Sequence, residues 1–166
     1  MSPKPVNCLL VTNRRRGWGG FGLTWGRGSF TITAEPQAAT DAKNHILIRN
    51  RTCFALLNAY PYNAGHLMVA PYKHTSELDD LTEEELADLM KLTRRCKTVL
   101  TRALKPDGFN VGINLGQVAG AGILDHVHIH IVPRWNGDTN FMTVTANVRV
   151  VPQALDDMYA TLLKHV

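Results

Sequence analysis

Three histidines, His126, His128 and His130, alternate with Val127, Ile129 and Ile131 in a short run read as a strand over Asp125–Val132 and ended by Pro133. On a β-strand successive side chains point to opposite faces. The three imidazoles therefore share one face at roughly 6.5–7 Å spacing, while the aliphatic residues enter the core on the other. A lone strand histidine is ordinarily structural, but three in alternation, followed at once by Val-Pro-Arg134-Trp135, carry chemical content. Two chemistries suit them. Imidazole is a common metal ligand, and a His-x-His strand can supply two of the three protein ligands of a catalytic site. Imidazole is also a nucleophile that needs no deprotonation near neutral pH, and a covalent intermediate splits one hard displacement at phosphorus into two easier ones.

The segment before the histidines favours phosphorus. Gly116-Gln-Val-Ala-Gly120-Ala121-Gly122 reads as a loop whose glycines let backbone N–H groups close on an anion. Asn114, at the end of the preceding strand, adds a side-chain donor. Asn114, Gly120, Ala121 and Gly122 are thus candidate phosphate contacts, in a loop for which a metal site has no need. Trp135 joins them as an amphipathic side chain at the site's edge, with packing as its simpler role.

The elements that position these residues follow from periodicity and from turn residues. His45–Arg49, Cys53–Leu57 and His66–Ala70 read as strands, the last ended by Pro71. Thr82 with Glu85 forms a capping box that opens a long helix. Leu86, Leu89, Met90, Cys96, Val99, Leu100 and Ala103 recur at helical spacing, with Met90 and Cys96 expected in the core, and Pro106-Asp-Gly108 stops the helix. Phe109–Leu115 reads as the strand before the Gly-rich loop. A short last helix over Pro152–Leu163 places Leu155, Tyr159 and Leu162 on one side. Strands, long helix, strands, helix predict an α+β domain with an antiparallel sheet of about five strands.

A chain of 166 residues forms one core on the usual prior. No apolar run reaches the roughly 18 residues of a membrane span. Cys8, Cys53 and Cys96 make neither a disulfide framework nor a CxxC pair, so a reducing cytoplasm is expected. The net charge of +4 is mild, but residues 1–34 carry Lys4, Arg14, Arg15, Arg16 and Arg27 with no acidic residue. Residues 1–43 read as a Gly/Arg-rich arm and 44–166 as the domain. Without an aromatic stacking motif the arginines do not point to specific nucleic acid. Gly17-Trp-Gly19-Gly-Phe-Gly22 spells GxGxxG, but no strand and helix flank it to aim a helix N-terminus at a pyrophosphate.

His126-Val-His128-Ile-His130-Ile-Val132 resembles in full the signature of the histidine triad (HIT) family. Asn58-Ala-Tyr-Pro-Tyr-Asn-Ala-Gly-His66-Leu-Met-Val-Ala-Pro71 and the Thr-Glu-Glu-Glu helix are similar to that family's upstream elements. The tail from Val132 through Asp138 to Met142 resembles its bacterial diadenosine tetraphosphate phosphorylase or hydrolase-like branch. The resemblance covers about three quarters of the chain, residues 44–166. It implies a HIT-like fold, a homodimer, and cleavage of dinucleoside polyphosphates through a nucleotidyl-histidine intermediate. His128 would be the nucleophile, His126 an orienting residue, and His130 a partner of phosphate oxygens. His66 would sit behind the triad and Asn58 near the ribose.

Two departures qualify the resemblance. Some members hold structural zinc with an amino-terminal CxxC and two histidines. His74 and His126 resemble the histidine half, but Cys8 has no partner, so no metal and no cofactor is expected. Other branches carry a glutamine four residues before the first triad histidine, where this chain has Gly122. A nucleotide-binding scaffold of the same type with little turnover is the alternative to an enzyme.

Overall fold

In the computed structural model, residues 38–119, 126–138 and 154–166 are described. They build one antiparallel sheet from β1 (Ile46–Arg49), β2 (Cys53–Leu57), β3 (Leu67–Pro71), β4 (Gly108–Ile113) and β5 (Ile129–Arg134). The strand order is β1-β2-β3-β5-β4. Helices α1 (Ala38–Lys43), α2 (Glu83–Leu104) and α3 (Leu155–Leu163) complete the fold. The residues of the expected loop from Gly120 to Gly122, and the GxGxxG run of the amino-terminal arm, lie outside the described residues.

α2 begins at the expected capping box. The Glu85 N–H donates to Thr82 Oγ1 at 3.2 Å, and Glu85 Oε2 accepts the Thr82 N–H at 2.8 Å. It ends one residue earlier than the Pro-Asp-Gly signal alone implies. Lys105 caps it in the left-handed region at φ 49°, because Pro106 disfavours the right-handed helical region for the residue before it.

The buried stripe of α2 is Leu89, Leu92, Thr93, Cys96, Val99 and Leu100, packed on the face of the sheet that carries Val69, Ile129 and Ile131. Met90, expected in the core, is instead 59% exposed. One residue is a 100° step around a helix, so a stripe running at steps of three and four from Leu89 leaves Met90 outside it.

α1 was not anticipated, since residues 1–43 show little helical period. Asp41 of α1 takes a bidentate contact from Arg49 of β1, at 2.6 and 2.9 Å. Tyr72 Oη accepts a further bond from Arg49 at 3.0 Å. His45, expected as the first residue of β1, is a left-handed residue at φ 53° between α1 and the strand. α3 buries Met158 and Leu162, and Tyr159 donates from its hydroxyl to the Ile46 carbonyl at 3.0 Å.

The histidine strand differs from its reading at both ends. β3 and β5 pair from Leu67↔Ile131 to Val69↔Ile129, and the same register would next require an N–H from Pro71, which has none. The ladder stops there, and His126, Val127 and His128 lead into β5 rather than lie within it. At the other end Pro133 is inside the strand, opposite Phe109. Its carbonyl accepts from Asn63 Nδ2 at 3.2 Å, so its N–H-less nitrogen faces the side where β3 has already ended.

Gly65, between the β2–β3 turn and His66, has φ +72°, and a Cβ placed there would sit 2.5 Å from Leu104 Cδ1 and 3.1 Å from Leu100 Cδ2. Gly65→Ala is expected to lower stability by about 1–3 kcal/mol, from left-handed strain plus overpacking. A thermal melt reads this as a loss of roughly 2–10 °C for a chain of this size. An unchanged midpoint would contradict it.

Candidate active site

The alternation of the histidines survives even though the ladder covers only the last of them. Val127, Ile129 and Ile131 enter the α2-side core, and His126, His128 and His130 occupy the opposite face. In register, Leu56 lies opposite Met68, Met68 opposite His130, and His130 opposite Gly112. The imidazoles therefore sit beside a second apolar cluster of Ile46, Phe54, Leu56, Met68, Ala70 and Tyr72. All three are buried.

His126 donates from Nε2 to the Pro71 carbonyl at 2.9 Å, which leaves Nδ1 as an acceptor facing His74 Nδ1 at 3.2 Å. Val127 N–H donates to the Thr75 carbonyl at 2.7 Å, fastening the β3–α2 connection to the same stretch. His128 donates from Nδ1 to the His126 carbonyl at 2.9 Å. Which carbonyl fixes the His128 tautomer could not be read from the sequence; the fold supplies that of the histidine two residues earlier. Nε2 of His128 then carries its lone pair and makes no hydrogen bond with a described residue.

His66 is fully buried behind His130, with its Nε2 3.0 Å from His130 Nδ1. On its other side His66 Nδ1 accepts the Tyr62 N–H at 3.1 Å and lies 3.3 Å from Asn58 Nδ2. Burial lowers the pKa of all three triad histidines, to about 4 for His126 and His130, so their neutral forms prevail at pH 7. His130 Nε2 is buried and has no hydrogen-bond partner among the described residues. A buried polar atom left open in this way is characteristic of a position that a ligand completes.

The remaining candidates fall as follows. Asn58 is buried, and its Oδ1 accepts the Tyr60 N–H at 2.9 Å. Asn114 is half-buried one residue beyond Ile113, the partner of Ile129, so the register extended by one sets it beside His128. Trp135 is half-buried in the turn after β5, its N–H donating to Asp138 Oδ2 at 3.1 Å. Asp138 also takes both arms of Arg134 at 2.6 Å and Asn63 Nδ2 at 2.9 Å. That clamp ties the turn carrying Trp135 to the loop that leads into His66. Gly120, Ala121 and Gly122 lie outside the described residues.

Tyr62 went unrecognised as a site residue. Its ring stacks on His130 at 5.7 Å and tilts against His66 at 4.6 Å, while keeping nearly half its surface exposed. The signal was its place four residues before His66 in a turn, which fixes no contact without the fold.

Tetrahedral zinc needs four ligands. Among the described residues the expected histidine half, His74 Nδ1 and His126 Nδ1, comes together at 3.2 Å, but no group of three His, Cys, Asp or Glu that could hold a metal does. The pair closes as a direct hydrogen bond from the His74 N–H. The described residues do not fit zinc.

Residues 39–137 match the HIT domain model. The chain is 47% identical over 126 residues to the AP-4-A phosphorylase of Mycobacterium tuberculosis, covering 76% of this chain and 64% of that protein. It is 36% identical over 92 residues to the bis(5'-adenosyl)-triphosphatase of Dictyostelium discoideum, covering 55% of this chain and 61% of the other. This chain thus spans less than two thirds of the length of either relative. Its fold superposes on a zinc-bound histidine triad family protein from Mycobacterium smegmatis with a TM-score of 0.61 and 27% identity, covering 76% of this chain and 86% of that one.

Proposed function

Because the chain belongs to the HIT domain family, we propose that it cleaves dinucleoside polyphosphates of the diadenosine tetraphosphate type by nucleotidyl transfer through His128. The observation that carries this is the pairing of a nucleophile with a donor. His128 Nδ1–H is tied to the His126 carbonyl, which leaves Nε2 as a lone pair beside the open Nε2 of His130. His128 and His130 lie edge to face with ring centroids 4.6 Å apart, so one phosphate can meet both.

In the first step Nε2 of His128 attacks the α-phosphorus. The bond to the bridging oxygen breaks, and its electron pair leaves with the polyphosphate. The imidazole takes positive charge as the P–N bond forms, and the His126 carbonyl facing Nδ1–H stabilises it. In the second step an oxygen of inorganic phosphate or water attacks phosphorus and the P–N pair returns to Nε2. Phosphate as acceptor gives ADP from diadenosine tetraphosphate, and water gives AMP. The name of the mycobacterial relative supports phosphate. Positioning supplies much of the acceleration in such transfers. Asn114 and the backbone of Gly120, Ala121 and Gly122 are assigned to the phosphates, and Trp135 to the nucleotide at the rim. The N–H and lone pair that Asn58 retains beyond its Tyr60 and His66 contacts are assigned to a ribose hydroxyl.

We place the chain in a reducing cytoplasm, consistent with Cys53 and Cys96 being free and buried; no helix among the described residues is long and apolar enough to cross a membrane. We also assign it a homodimer through β4, which among the described residues pairs on one side only and exposes Val111.

Incubation with diadenosine tetraphosphate, with and without phosphate, followed by chromatography tests the reaction. Expected are ADP and ATP when phosphate is present. AMP and ATP in both conditions would make the protein a hydrolase, and an unconsumed substrate at stoichiometric enzyme would end the proposal.

A further inference from the structure

The hydrogen bonds around His66 run in one direction. A backbone N–H can only donate, so Asn58 Oδ1 facing Tyr60 N–H must accept, which turns the Asn58 amide nitrogen toward His66 Nδ1. Tyr62 N–H also points at that Nδ1, at 3.1 Å. With two donors aimed at it, His66 Nδ1 must hold a lone pair, and the ring proton of neutral His66 is on Nε2. Nε2–H then donates to His130 Nδ1 at 3.0 Å. Neutral His130 in turn carries its proton on Nε2, the buried atom with no partner among the described residues.

We infer that this relay, from Tyr60 and Tyr62 through Asn58 and His66, fixes His130 as a neutral Nε2–H donor, and that Asn58 and the Tyr62 backbone are positioning residues for the phosphate contact. The site therefore presents one imidazole lone pair, on His128, and one imidazole N–H, on His130, without a proton being taken up. The opposite tautomer would aim a lone pair at the phosphate oxygens. A protonated His130 would donate equally well, but burial and the neighbouring His128 disfavour it. The inference rests on the reading of His130 as a phosphate contact, but its first measurement uses no substrate.

Long-range proton–nitrogen NMR on the full chain with 15N-labelled histidine, at pH 7, reads each ring's tautomer, with assignments from single histidine substitutions. Protons on Nε2 of both His66 and His130 are expected. A His130 proton on Nδ1, or on both nitrogens, overturns the relay whatever the enzyme's activity. Asn58→Asp replaces the amide donor by an acceptor and is expected to draw the His66 proton to Nδ1 and strip Nε2 of His130. Binding of tripolyphosphate, which has no ribose for Asn58 to touch, should then weaken at least tenfold. Asn58→Leu removes the amide donor but brings no acceptor to His66 Nδ1, which keeps the Tyr62 N–H, so its loss of tripolyphosphate binding should be at least threefold smaller than that of Asn58→Asp. Equal losses in the two variants would make Asn58 merely structural and refute its place in the relay. Should Asn58→Asp not fold, the wild-type spectrum decides alone.

Discussion

His128→Ala is expected to reduce turnover of diadenosine tetraphosphate by at least about 10⁴-fold, the scale on which removal of a covalent nucleophile acts. Nucleotide binding, measured by titration calorimetry, should remain within about tenfold of wild type. The asymmetry follows from the geometry. Nε2 of His128 makes no hydrogen bond with a described residue, and Nδ1 only with the His126 carbonyl. Truncation to Ala therefore deprives no neighbouring side chain of a partner. It leaves His126 tied to Pro71 and His130 tied to His66. Turnover retained in the variant would falsify the nucleophile assignment. A parallel collapse of binding would mean that His128 holds substrate rather than attacking it.

Stability should fall steeply in mild acid. His126 and His130 have pKa values near 4 in the folded chain because burial penalises their charged forms, against about 6.5 when unfolded. Between these values the unfolded chain binds protons that the folded chain refuses, so stability rises with pH from 4 to 6.5 and is complete above it. Each histidine contributes a slope of about 1.4 kcal/mol per pH unit, so the two together remove on the order of 3 kcal/mol per unit near pH 5. The folded pKa of His128 is depressed by the same cause and acts in the same direction. Urea unfolding at pH 7, 6 and 5 measures the slope. A free energy that is flat across that range would show that the imidazoles reach water when folded. An equally steep slope in a variant with His126 and His130 replaced by Asn would assign it to other groups.

Much of this site was legible because its signals are local. A strand's two-residue period puts His126, His128 and His130 on one face whatever the rest of the chain does, and the Thr82–Glu85 box needs only four residues. Met90 misled because apolar residues on neighbouring flanks of a helix look alike until the sheet selects one stripe. The ends of β5 misled because a proline marks a missing N–H and not the side on which it is missing. Pro71 stops a ladder, while Pro133 sits within a strand whose neighbour has already ended.

The identity of the three histidines, their shared face and the α+β architecture are determined by the sequence alone, since each depends on the period of one element or the order of several. Their inequality was decided only by tertiary structure. His128 keeps a lone pair on Nε2 because its Nδ1–H is tied to the His126 carbonyl, two residues back, while His130 has its Nδ1 held by His66. A ring nitrogen's role is set by whatever donor or acceptor lies within about 3 Å of it. For His130 that group is His66, just before β3 and 64 residues away in the chain.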